Sequence, residues 1–297
     1  MTFPPGRIRA IQAARRALAR FLIAIPFLVA VPLALRFRWG GPAHPATDFA
    51  YTVVLEWIPA LAAVIALLPN FPGGLGLGPP RSRGVTTFAL AVLGPLAVAV
   101  ISYGIAWAAE LAPFRLPPAP AWFGAGTWGV MLHSIAFHLR RGLAGWLLLA
   151  LGEEIGWRGF LVVQLKRADT PLPLLACGLI WSAWHWPGLL IGSYPAGPDR
   201  MISLVVFTVT LTSFSYSLAA LRIASGSVWP ATLAHALWNS FFFDSFEGAT
   251  LASTPWTRES GVLTAVASIV VAVLTLAVLG PAVRSGGPGG SLRRGSS

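Results

Sequence analysis

The chain of 297 residues is 56% hydrophobic and only 10% charged, against about a quarter charged in an average soluble domain. That excludes an ordinary soluble fold and reads as all-α, a polytopic membrane helical bundle. The net charge of +11 reflects few acids as much as many bases, and the bases cluster outside the apolar runs, a pattern that suits anionic lipid headgroups and leaves no soluble face for nucleic acid.

From the N-terminus, Arg7, Arg9, Arg15, Arg16 and Arg20 lead into an apolar run at 18–35. That run is too long and Pro-interrupted for a signal peptide, and Arg36 and Arg38 stand where a small-residue cleavage site would be expected. It reads as a retained first span. Further runs near the roughly 20 residues needed to cross hydrocarbon are 51–68, 86–109, 143–165, 172–191, 202–221, 228–246 and 261–280. Together they give about eight transmembrane helices, with Pro- and Gly-rich connections at 70–80 and 113–120.

The segment 121–139, with His133 and His138 ahead of Arg140 and Arg141, reads as an interfacial helix or as a ninth span. With eight spans and a cytoplasmic N-terminus, 13 of the 21 Lys and Arg fall inside and 7 outside, with Arg158 in the membrane; a ninth span reduces this to 11 against 9. The positive-inside rule therefore favours eight spans with N- and C-termini cytoplasmic. The tail from Arg284 has nothing to bury and reads as disordered.

Run 143–165 carries Glu153, Glu154 and Arg158. One charged side chain at the centre of a bilayer costs at least about 2.5–3.5 kcal/mol, so three need partners or a task. Glu154 and Arg158 are four apart and can pair, while Glu153 lies about 100° round the helix with no built-in partner. It is the candidate general base; the alternative is an ion pair that only joins two helices.

His185 in the fifth run has Trp181 one turn before it and Pro187 just after, which loosens the backbone. His235 and Asn239 in the seventh are four apart and share a face, a donor pair suited either to a developing oxyanion or to a clamp between helices. Counted by helical rise from the cytoplasmic ends, these groups fall in one slab roughly 11–20 Å deep.

His44, His133 and His138 fall outside the slab, and Asp244 and Glu247 are expected to be solvated at the far surface. Cys177, the single cysteine, cannot form an intramolecular disulfide and reads as a small packing residue, with a nucleophile as the alternative.

Three motifs carry a resemblance to a known family. Glu153-Glu154-Ile-Gly-Trp-Arg158 matches EExxxR, Trp181-Ser-Ala-Trp-His185 matches aromatic-xxx-His, and His235-Ala-Leu-Trp-Asn239 matches HxxxN, in that order and on separate runs. The chain in this respect resembles the type II CAAX prenyl endopeptidases, also called CPBP or abortive-infection proteins. Trp181 stands where phenylalanine is commoner. The resemblance covers about 143–246.

It implies an intramembrane endopeptidase of the multi-pass cell membrane, by composition the inner membrane of a bacterium. Glu153 and His185 would activate water, His235 and Asn239 would hold the oxyanion, and Glu154, Arg158 and Trp181 would support them. The expected division is 1–142 as an N-terminal region with the interfacial segment, 143–246 as the catalytic core, 247–283 as the last helix and 284–297 as the tail. Membrane lipid and a peptide or protein with a membrane-associated segment are the expected partners. No cofactor is expected, because HExxH is absent; the alternative is zinc on Glu153, His185 and His235. Rival readings are a proton-coupled transporter and a non-catalytic membrane immunity protein.

Overall fold

Where a backbone is surrounded by lipid, each N–H and C=O must be satisfied within its own segment, and long apolar runs therefore wind into helices. A computed structural model describes residues 4–38, 45–68, 74–117, 126–191, 194, 197, 199–251 and 254–285. Helices α1 (Pro5–Arg38), α2 (Pro45–Leu67) and α3 (Gly84–Ala108) come first. Next are α4 (Thr127–Glu154), a π-helical segment π1 (Ile155–Leu161) and α5 (Val162–Arg167), which form one continuous rod. Then follow α6 (Pro173–Ile191), α7 (Arg200–Ser225), and a second composite rod of α8 (Trp229–Asn239), π2 (Ser240–Ser245) and α9 (Phe246–Gly248). Helix α10 (Val262–Ser285) is last. The described residues thus make eight rods, one for each apolar run.

Four helices are long and apolar enough by themselves to cross a membrane: Pro5–Leu35, Gly84–Ala108, Arg200–Ser225 and Val262–Arg284. Those carrying the three motifs are not among them; α8, for one, has only 11 residues before its π segment.

Helix α7 packs between α6 and α10, α3 against α8 and α10, and α2 against α1 and α4. Aromatic side chains fill the centre. Trp238 is stacked between Phe214 and Phe242 at centroid distances of 4.2 and 4.3 Å, and Phe21 on α1 lies on Phe160 of π1 at 4.8 Å.

Long-range bonds show which helix ends meet. On one face Arg7 pairs with Asp169 at 3.6 Å, Arg15 Nε donates to Ala168 O at 3.4 Å, Lys166 Nζ to Val283 O at 3.1 Å and Arg81 N to Ser225 O at 2.8 Å. On the other, Arg115 N donates to Ala249 O and Leu251 N to Pro113 O, and Phe114 and Thr250 form an antiparallel bridge.

Two expectations change. The described part of 121–139 is not a separate element: it is the beginning of α4, which runs without a break through Arg140, Arg141 and Gly142. Arginine is a good helix former, and one glycine costs only about 1 kcal/mol within a helix, so nothing there stops the helix. Asp244 and Glu247 are not merely solvated. Asp244 Oδ2 accepts from Trp146 Nε1 at 2.6 Å, and Glu247 accepts from Tyr103 OH at 3.0 Å and is ion-paired with Arg258. His44 and the tail beyond Ser285 lie outside the described residues.

Candidate active site

The first motif ends α4 and begins π1. Val162 N–H reaches Trp157 O, five residues back, which is the wide π turn. The third motif has the same construction, with Phe246 N–H on Phe241 O just past Asn239. Such widened turns recur at functional sites. Here one takes in the end of the first motif and the other follows directly on the third.

Glycine brings α2 against the first motif. A methyl at Gly152 would stand 2.6 Å from Glu56 O, and one at Gly156 2.3 Å from Pro59 Cβ. The absent side chains let the two backbones touch on either side of Glu153 and Glu154. Trp57 Nε1 fastens the contact by donating to Leu148 O at 3.0 Å.

The four ionisable groups Glu153, Glu154, Arg158 and His235 meet one another. Glu154 Oε1 accepts from Arg158 Nη1 at 2.7 Å and meets His235 Nδ1 at 2.9 Å. Both Glu154 and Arg158 are fully enclosed, and the guanidinium carbon lies 4.0 Å from the centre of the Trp181 ring, a cation–π contact. With Nδ1 on a carboxylate, His235 turns Nε2 toward Glu153 Oε1 at 3.7 Å. The other oxygen of Glu153 accepts from Trp157 Nε1 at 3.0 Å and from Trp181 Nε1 at 2.6 Å. Glu153 therefore has partners after all; they are indoles, and the i,i+4 indole of Trp157 was hidden among apolar neighbours.

His185 stands close enough to Glu153 to act on it electrostatically, with Nδ1 3.0 Å from Trp181 O. Its ring packs against both Tyr194 and Phe207, each at 5.5 Å, and those two rings also touch each other. Asn239 is half-buried on the α8 face of His235, and its amide makes no hydrogen bond with the described residues. Glu153 and His235 are each 4% exposed, whereas His185 and Asn239 are half-buried.

Two further acids belong to this neighbourhood. Glu56 of α2 sets its carboxyl within side-chain hydrogen-bond reach of Glu153, and its Oε2 is shut from solvent without a partner. A lone glutamate in the run 51–68 was the available signal. Glu259, in the connection before α10, accepts from Trp238 Nε1 at 2.6 Å and from Tyr194 OH. Burial raises the Glu259 carboxyl above its ordinary value, opposed by those two hydrogen bonds. No sequence pattern marks Glu259, which follows Arg258 and looks like a solvated loop acid.

His138 lies edge-on to Phe137 at 5.5 Å. Cys177 is buried with Sγ 3.6 Å from Trp157 O, and burial in a helix suits packing. Among the described residues no group of three His, Cys, Asp or Glu is spaced to hold a metal ion.

Comparison with known proteins gives one finding, for no curated protein matches the chain significantly. Residues 135–241 match the family model described as Rce1-like, type II CAAX prenyl endopeptidase, a stretch that takes in every motif residue from Glu153 to Asn239.

Proposed function

We propose that this protein is an intramembrane endopeptidase that hydrolyses a peptide bond near a membrane-embedded or lipidated, CAAX-like end. In this reading it crosses the cell membrane eight times with both termini in the cytoplasm, and the membrane is the inner membrane of a bacterium. The orientation is supported by the basic bias of one set of helix ends.

Glu153 acts as general base. With His185 it takes a proton from water as the water oxygen bonds to the scissile carbonyl carbon, and the displaced π electrons become an oxyanion. His235 Nε2 and the Asn239 amide donate to that oxygen. Collapse of the intermediate breaks the C–N bond, and the leaving nitrogen takes the proton from Glu153. Because Glu154 occupies Nδ1, donation from Nε2 requires the imidazolium. Two carboxylates then face one imidazolium and one guanidinium, so the buried group carries no net charge. Glu154, Arg158 and Trp181 position the site.

The observation that carries this reading is the contact of Glu154 with His235 across 81 residues of sequence, which leaves the other nitrogen of His235 opposite Glu153. Glu153→Gln should lower cleavage of a membrane-anchored peptide by about 100-fold or more while the melting profile in detergent stays unchanged. Full activity in that variant removes the assignment. The mechanism is metal-free in this proposal, supported by the absence of an HExxH pair and by the Asn239 amide on the face of His235, which suits an oxyanion better than a metal shell. Cleavage is expected to survive exhaustive chelation; loss restored by added zinc would reverse this point.

A further inference from the structure

Arg222, in the last turn of α7, is only 8% exposed and has no carboxylate partner among the described residues. Its guanidinium lies beneath the connection that enters α3. Gly76 crosses over it with φ +73, and a methyl there would stand 2.6 Å from Cζ. Nη2 donates to Gly74 O at 3.2 Å, while Nε is buried with no acceptor. A guanidinium offers five donors, and leaving them without acceptors out of water is costly.

The neighbours worsen the imbalance. Arg81 and Arg167 both act on Arg222 as like charges. Arg81 runs along Gly226, with Cδ 3.5 Å from where a methyl would be. Asp169, the acid of this face among the described residues, is taken by Arg7. Arg222 and Arg81 thus lie together at one helix end, with Arg167 near enough to act on Arg222, and no acid among the described residues is ion-paired with the three.

The surroundings place them at the level of lipid headgroups. Leu77 and Val85, on either side of Arg81, are 49% and 88% exposed, as befits apolar side chains at the edge of hydrocarbon. We propose that Arg222, Arg81 and Arg167 form a binding site for a phosphate-type anion, supplied by the headgroup of an anionic lipid. Arginine suits this ligand because its planar fork can present paired donors to phosphate oxygens. The site also reaches toward the catalytic helix: the same connection sets Leu75 O 2.8 Å from the methyl position of Gly159, in π1 next to Arg158. A bound anion would clamp that connection against π1.

The test is melting of the full chain in nanodiscs of phosphatidylcholine, with and without phosphatidylglycerol. The anionic lipid should raise the midpoint by roughly 3–6 °C. Arg222→Gln should abolish the shift, and the exposed pair Arg81→Ala with Arg167→Ala should remove at least half of it. If Arg222→Gln fails to fold, the exposed pair decides. Arg9→Ala with Arg16→Ala, the same loss of charge on the same face, should leave the shift intact. Inorganic phosphate producing the shift in phosphatidylcholine would support the same site with a soluble source. The proposal is overturned if neither anion shifts the midpoint, if the Arg9 and Arg16 control loses as much as the exposed pair, or if only a peptide with a free terminal carboxylate gives the effect.

Discussion

Glu154 answers to two partners on one oxygen, Arg158 and His235, so its loss should cost structure as well as function. Glu154→Gln leaves the enclosed guanidinium facing a neutral amide, and breaking a buried pair in this way costs about 3–5 kcal/mol. The variant should melt well below Glu153→Gln, whose neutral amide still accepts from the two indoles. A melting series in one detergent separates them, and equal midpoints would mean that the Glu154 contacts contribute little. The motif residues were legible because charge in an apolar run demands explanation. Glu56 gave the same signal more faintly, as a single acid. Trp157 gave none, since its role depends on Glu153 being one turn behind it in a helix whose hydrogen bonds had not been foreseen. Tyr194 and Glu259 were illegible, because only the return of distant connections brings a phenol and a carboxylate to His185 and Trp238.

The rod formed by α4, π1 and α5 owes its fit against α2 to Gly152 and Gly156. Gly156→Ala would force a methyl to within 2.7 Å of Pro59 backbone atoms, and overpacking of this kind costs typically 1–3 kcal/mol. Gly145→Ala, on the same helix with nothing within 4 Å, should be neutral or gain up to about 1 kcal/mol from helix propensity. Comparable melting of the two variants would show that the close approach is unimportant. Hydrophobic runs announced each rod in the sequence but not its true ends. The separation of 121–139 from the following span rested on its arginines, which a helix accommodates readily. The π turns were also beyond reach, because one extra residue in a turn leaves no mark on composition.

As a whole, the molecule gathers the starts of α1 and α3 with the ends of α5, α7 and α10 on one face, the arrangement required of eight successive crossings. Sidedness can be read with a membrane-impermeant thiol reagent, since the native Cys177 is 0% exposed and should stay silent. Gly6→Cys and Ser82→Cys should label from one side of the membrane, and Thr127→Cys and Leu251→Cys from the other. Labelling of all four from the same side would discard the eight-crossing arrangement. The count of runs made the number of rods visible in advance, because lipid constrains the length of a helix more tightly than it constrains which helices touch.

The surplus residue held in each π turn gives spacing inside the motifs an unusual meaning. Deleting one residue within Ile155–Leu161 or Ser240–Ser245 would let the rod rewind as ordinary α-helix with everything beyond keeping nearly its direction, because the wide turn holds one residue more than an α turn. A single-residue loss is thus absorbed in direction at these two stretches, whereas elsewhere in a rod it swings everything beyond by roughly 100°.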